Sequence, residues 1–203
     1  MPLVPVPRRR TWCALLLAYG FCASVSHPSP ARAAEKPVLK PGSAIAPSVR
    51  IAGTTFELKD EKQAAGTYVA EYLPAGENFE RFTRMFAVWG QQDGSTALAQ
   101  VKAKIQFVEA RKGTDPVANY KVFKAEDENA YGLDFLISEG AVLEHNVWYF
   151  KSFKGGVVAY QYARRHYRGA DGQATRDFFG QIGPAGSEVL AFFKANPLPV
   201  PPN

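Results

Sequence analysis

The chain has 203 residues, of which 46% are hydrophobic and 21% charged, with a formal net charge of +5. Such fractions belong to a globular chain with one real core, which excludes a largely disordered protein and leaves room for one domain with appendages. Arg8, Arg9, Arg10 and Arg32 fall in the first 33 residues with no acid among them, so the remainder carries only +1; that balance excludes a strongly basic nucleic-acid surface.

The N-terminus reads as a targeting segment over residues 1–33. Arg8 to Arg10 form its basic region, Thr11 to Ser26 its apolar region, and Ala31-Arg32-Ala33 an A-x-A cleavage site. The apolar run is too short and broken for a comfortable membrane span, so the leader is expected to be cleaved and the mature chain to have no span; an uncleaved anchor is the alternative. Arg9-Arg10-Thr11-Trp12 is a poor twin-arginine signal, and Phe21 before Cys22 does not suit a lipobox. Cys13 and Cys22 both lie in this segment. The predicted mature chain therefore has no disulfide, thiol nucleophile or thiolate metal site, and its core alone must hold it. The expected location is the periplasm or the extracellular space, after cleavage near Ala33.

Residues 34–48 have no period and read as a flexible lead-in. Val49 to Leu58 reads as a strand interrupted by Gly53, and Gly66 to Leu73 as its neighbour, with the turn at Asp60 to Ala65. Asn78 is expected to cap one helical turn over 79–82, and Thr83 to Trp89 to resume as a strand. Leu98, Val101, Ile105 and Val108 recur at three and four residues, predicting an amphipathic helix that Gly113 ends. Tyr120 to Ala125 and Ala130 to Ser138 are two more strands. The turn between them, Glu126-Asp127-Glu128-Asn129, lacks the ligand spacing of a calcium loop and reads as a solvated turn. Residues 174–195 read as helical pieces broken at Gly183-Pro184, the second capped by Ser187 with Val189, Leu190, Phe192 and Phe193 toward the sheet. The tail, 196–203, is Pro-rich.

The strongest local signal is His145 to Arg168, two β-branched and aromatic runs around Gly155-Gly156. Placing both glycines in a two-residue type I′ turn pairs Tyr149 with Tyr162, Lys151 with Tyr160 and His145 with His166. Alternation then divides the hairpin into two faces. One carries Trp148, Phe150, Ala159, Gln161 and Ala163. The other carries Val147, Tyr149, Phe153, Val158, Tyr160 and Tyr162, with Lys151 and Arg164.

Two sites follow from that hairpin. Tyr149, Tyr160, Tyr162, Lys151 and Arg164 can line a pocket or contact patch for a small amphipathic ligand or an envelope protein, unless a helix covers them. His145 and His166, with Glu144 or Asp134, can form a weak metal site or a pH-dependent pair, or can lie idle at the frayed hairpin end. The sequence has no G-x-S-x-G elbow, H-E-x-x-H, Walker loop or dinucleotide fingerprint. A hydrolase would have to use His145 or His166. No cofactor is implied.

Glu144-His145-Asn146-Val147-Trp148-Tyr149, followed by Ala159-Tyr160-Gln161-Tyr162-Ala163-Arg164-Arg165, resembles a family of uncharacterised exported bacterial proteins. Tyr72-Leu73-Pro74-Ala75-Gly76-Glu77 with Phe82-Thr83 fits the same pattern, and the resemblance covers roughly residues 55 to 168. The layout is also similar to PsbP-like α/β/α sandwiches, which implies an accessory or assembly role and carries over no catalytic residue. The expectation is an α+β domain over 49–195, with a mainly antiparallel sheet of six or seven strands, one long helix and a C-terminal helical segment. Its expected function is that of a secreted, non-enzymatic binding or accessory protein. A hydrolase and a small metal-binding protein are the alternatives.

Overall fold

A computed structural model describes residues 46–125, 129–153, 155–169 and 171–196. The targeting segment, most of the lead-in, the acidic turn at 126–128 and the Pro-rich tail from 197 onward lie outside the described residues.

The fold is α+β, with one antiparallel sheet of eight strands. Four strands form a first meander: β1 (Ser48–Ile51), β2 (Thr54–Ala64), β3 (Thr67–Pro74) and β4 (Arg84–Gln91). Helix α1 (Ala97–Arg111) crosses to a second meander of β5 (Asn119–Lys124), β6 (Ala130–Glu139), β7 (Val142–Phe153) and β8 (Gly156–Tyr167), and α2 (Gly172–Ala195) closes the domain. The strand order is β1-β2-β3-β4-β8-β7-β6-β5. The last strand of each meander therefore meets the other at a central β4–β8 seam.

The sheet has eight strands rather than six or seven because Gly53 does not interrupt one strand but turns the chain between two. Ala52 and Gly53 have φ of 46° and 76°, the paired left-handed conformation of a tight hairpin turn. Ala65 and Gly66 repeat the device, so β2 runs on through the residues expected to form its turn. Asn78 caps as expected, accepting from the N–H groups of Glu80 and Arg81, but no helical turn follows.

Each helix covers one face. Val101 and Val108 of α1 pack with Trp148, Phe150, Leu133 and Ala159. Val189, Leu190 and Phe193 of α2 pack with Val147, Tyr149, Tyr160 and Tyr162. Thr96 caps α1 and Asp171 caps α2, each side chain accepting from the first turn. The break expected at Gly183-Pro184 does not occur, and Ser187 is interior to α2, not its cap. Phe178, Gly186, Val189, Leu190 and Phe193 lie at helical spacing on both sides of Pro184. Burying one continuous face offsets the hydrogen bond the proline removes.

The hairpin register differs from the expected one by two residues. The chain reverses between Phe153 and Gly156, so Tyr149 pairs with Tyr160, Lys151 with Val158 and His145 with Arg164. Gly156 is a strand residue. A Cβ there would lie 1.8 Å from the carbonyl oxygen of Gln91, so only glycine lets β8 approach the end of β4. Because the slip is an even number, every side chain keeps its face, and the division into a tryptophan face and a tyrosine face holds.

Candidate functional site

The way α2 seats itself determines where a site can form. Two glycines bring it close to the sheet over β6 and β7. A Cβ on Gly132 would lie 2.7 Å from Leu190 Cδ1, and one on Gly186 would lie 2.1 Å from Asp134 Oδ2. Over β4 and β8 the helix presents Gly180, Pro184 and Ala185, which are too small to fill the space beneath. A cleft of about 340 Å³ opens there, walled by Ala52 of the first hairpin turn and by Gln181 and Glu188 of α2.

Arg84 and Arg164 lie on the sheet beneath this cleft, directly opposite each other in the β4–β8 register. Arg84 Nη1 donates to Thr54 Oγ1 at 2.6 Å, and Arg164 Nη2 donates to Gln181 Oε1 at 2.9 Å. Both acceptors are neutral. Among the described residues neither guanidinium forms an ion pair. Tyr162 borders the same space. Burial raises its hydroxyl pKa above the ordinary value, Arg84 and Arg164 pull it down, and Glu188 pushes it up.

The predicted tyrosine-face residues therefore separate. Tyr162 and Arg164 meet in the cleft. Tyr149 and Tyr160 face each other under α2, where Tyr160 packs 6.1 Å from Phe193, and burial followed by the neighbouring Tyr149 pushes the Tyr160 pKa up to about 12. Lys151 is exposed, farther along β7 toward the turn. Arg84 joins the site without having been foreseen. It is brought in by a pairing between distant strands, and nothing local in its sequence marks it.

The histidines do not come together as expected. His166 pairs with Leu143, so it is a diagonal rather than a direct neighbour of His145. Its Nε2 is 2.9 Å from Thr175 Oγ1, and its ring stacks on Phe178 at 5.4 Å. His145 is 1% exposed and lies 2.8 Å from Asp134. Glu144 points to the opposite face, as a strand neighbour must. There it joins a buried chain: Trp89 donates to Gln161, Gln161 to Asn146, and both Asn146 and Arg165 to Glu144. Among the described residues no group of three His, Cys, Asp or Glu side chains is placed to hold a metal. On the α1 face, a recess between Trp89, Trp148 and Lys104 has only about 50 Å³, room for water but not for a ligand.

Fold and cleft together define a three-layer α+β domain with a polar, arginine-lined cleft beside its C-terminal helix. A model of an uncharacterised protein family matches residues 44–196, and the chain belongs to that family. The comparison with curated proteins finds no match. Among the described residues no helix is long and apolar enough to cross a membrane.

Proposed function

We propose that the chain is an exported, non-enzymatic binding protein, and that its ligand is a small amphipathic molecule held in the cleft between α2 and the β4–β8 seam. The observation that carries this reading is the cleft itself: about 340 Å³, with Tyr162 and two arginines turned into it. Its volume lies in the range of small-ligand sites, and its mixture of phenol, aliphatic stem and guanidinium suits a molecule with one apolar and one polar end. Export rests on the leader: the basic Arg8 to Arg10, the apolar run and Ala31-Arg32-Ala33. The similarity of layout to PsbP-like sandwiches supports an accessory role in the envelope. Burial of His145 beneath α2, and the engagement of the half-buried His166 by Thr175 and the Phe178 ring, favour binding over the hydrolase alternative, because a general base must reach its substrate.

The test is native mass spectrometry of the full chain expressed with its leader in a bacterium and recovered from the envelope fraction. The expected result is a mature mass starting near Ala34, with a small adduct released on denaturation. Gly180→Phe should lose the adduct. Position 180 lines the cleft and has open space around it, so the new ring fills the cleft rather than the core. An intact leader in the cytoplasm and no adduct would overturn the reading.

A further inference from the structure

We infer that the cleft takes an oxyanion, a carboxylate or phosphate group, held between the guanidinium groups of Arg84 and Arg164. This rests on the reading of the cleft as a ligand site. Like charges directly opposite on neighbouring strands are unfavourable, and among the described residues no carboxylate pairs with either guanidinium. Here the anchors are instead the neutral oxygens of Thr54 and Gln181. Each guanidinium has five N–H donors, and these anchors engage one on each. The remaining donors are available to a planar oxyanion, which arginine binds bidentately.

The heads are also held in place. Arg164 lies 5.8 Å from the centroid of the Phe178 ring and is tethered to Gln181. Tethered heads lose less freedom on binding. The Tyr162 hydroxyl makes no protein hydrogen bond among the described residues and adds a neutral donor at the cleft. Glu188 lines the outer wall and sets the charge limit: two guanidinium groups against one carboxylate leave the cleft singly positive. It suits a monoanion better than a polyanion, so a carboxylate with an apolar tail should bind more tightly than phosphate.

Octanoate and inorganic phosphate serve as probes in two arms, titrated into the full chain at constant ionic strength and followed by thermal unfolding and calorimetry. The expected result is saturable stabilisation by octanoate, weaker stabilisation by phosphate, and at least tenfold weaker binding of both in Arg84→Gln and Arg164→Gln. Lys121→Gln on the β5 edge should bind as the parent does. Arg84→Gln carries a second signature: its unliganded melting temperature should rise as its oxyanion response is lost. Phosphate binding more tightly than octanoate would keep the oxyanion and identify its source as phosphate. Stabilisation that is unchanged in both arginine variants would place the anion elsewhere and overturn the inference. No response to either probe, with a neutral adduct that Gly180→Phe removes, would overturn the inference and leave the ligand site standing. No response and no adduct would overturn both.

Discussion

His145 Nε2 lies 2.8 Å from Asp134 Oδ1, and Gly186 of α2 passes directly over the pair. A carboxylate oxygen accepts, so Nε2 is the donor in this contact, and among the described residues Nδ1 is buried without a hydrogen-bond partner. The contact fixes how closely α2 can approach. Gly186→Ala would put a methyl 2.1 Å from Asp134 Oδ2, so the carboxylate or the helix must shift, and a shift of the carboxylate weakens its contact with the imidazole. The expected cost is about 2 kcal/mol, the penalty of a buried donor left without its acceptor. Gly180→Ala, in open space six residues earlier in the same helix, should instead stabilise by about 0.5 to 1 kcal/mol. Urea midpoints of the two variants check both signs.

Removing one charge of the arginine pair should stabilise the unliganded chain. Arg84→Gln relieves the cross-strand repulsion and should raise stability by roughly 0.2 to 1 kcal/mol at low salt. The gain should shrink as salt rises, since both groups reach solvent and are screened. Thermal unfolding at two ionic strengths measures it. A gain that does not depend on salt would mean that packing, not charge, separates the two proteins.

Acid sensitivity should trace in part to Asp115. Burial raises its pKa, but hydrogen bonds from the N–H and hydroxyl of Ser138 and from the N–H of Val117, with Arg111 beside it, more than offset that and hold it below the ordinary value. A carboxyl depressed by folding stabilises at every pH above its unfolded value of about 4, and that stability is lost as pH falls through the folded value. Ser138→Ala removes one donor and should cost about 1.5 kcal/mol near neutrality. The difference from the parent should vanish as the pH falls well below about 4. Urea midpoints across that range follow the convergence.

At the alkaline end the tyrosines decide. Burial, and secondarily Glu61, pushes Tyr72 up to about 12; burial, and secondarily Tyr149, does the same for Tyr160. Both phenols are held neutral in the fold, so their contribution is intact below the unfolded value of about 10 and is lost as pH rises toward 12. Tyr160→Phe keeps the ring against Phe193 and deletes the titrating group. Its stability should fall less steeply above pH 10 than the parent's, by ultraviolet difference titration together with circular dichroism.

What the sequence made legible was local, and its errors came from contacts that it could not display. The period of Leu98, Val101, Ile105 and Val108 located α1, and alternation in β7 and β8 assigned every side chain to its face. The pairing failed because the Gly155-Gly156 signal is symmetric between two turn placements. The deciding contact, Gly156 against the carbonyl oxygen of Gln91, is with another strand. Pro184 reads as a helix breaker in isolation, and only the shared buried face of Phe178 and Val189 keeps α2 whole. The cleft shows the same limit. Tyr162 and Arg164 were marked by their place on the hairpin, whereas Arg84 entered through the seam. Of the two carboxylates expected beside His145 and His166, alternation sends Glu144 to the other side and leaves Asp134 against His145.

The seam at β4 and β8 also orders the protein in time. Every pairing within the first meander is in hand by Gln91, so those four strands can pair as soon as they are synthesised, with only the outer edge of β4 awaiting β8. Arg84 cannot meet Arg164 until about eighty more residues have been made, so the contact that completes the cleft is among the most distant in the chain. Such pairings form late, after the entropy of a long loop has been overcome. A nascent or partly unfolded chain can thus contain an ordered half-sheet and still lack the completed cleft. A ligand that recognised the completed cleft, as proposed, would report on, and hold together, the last step of assembly.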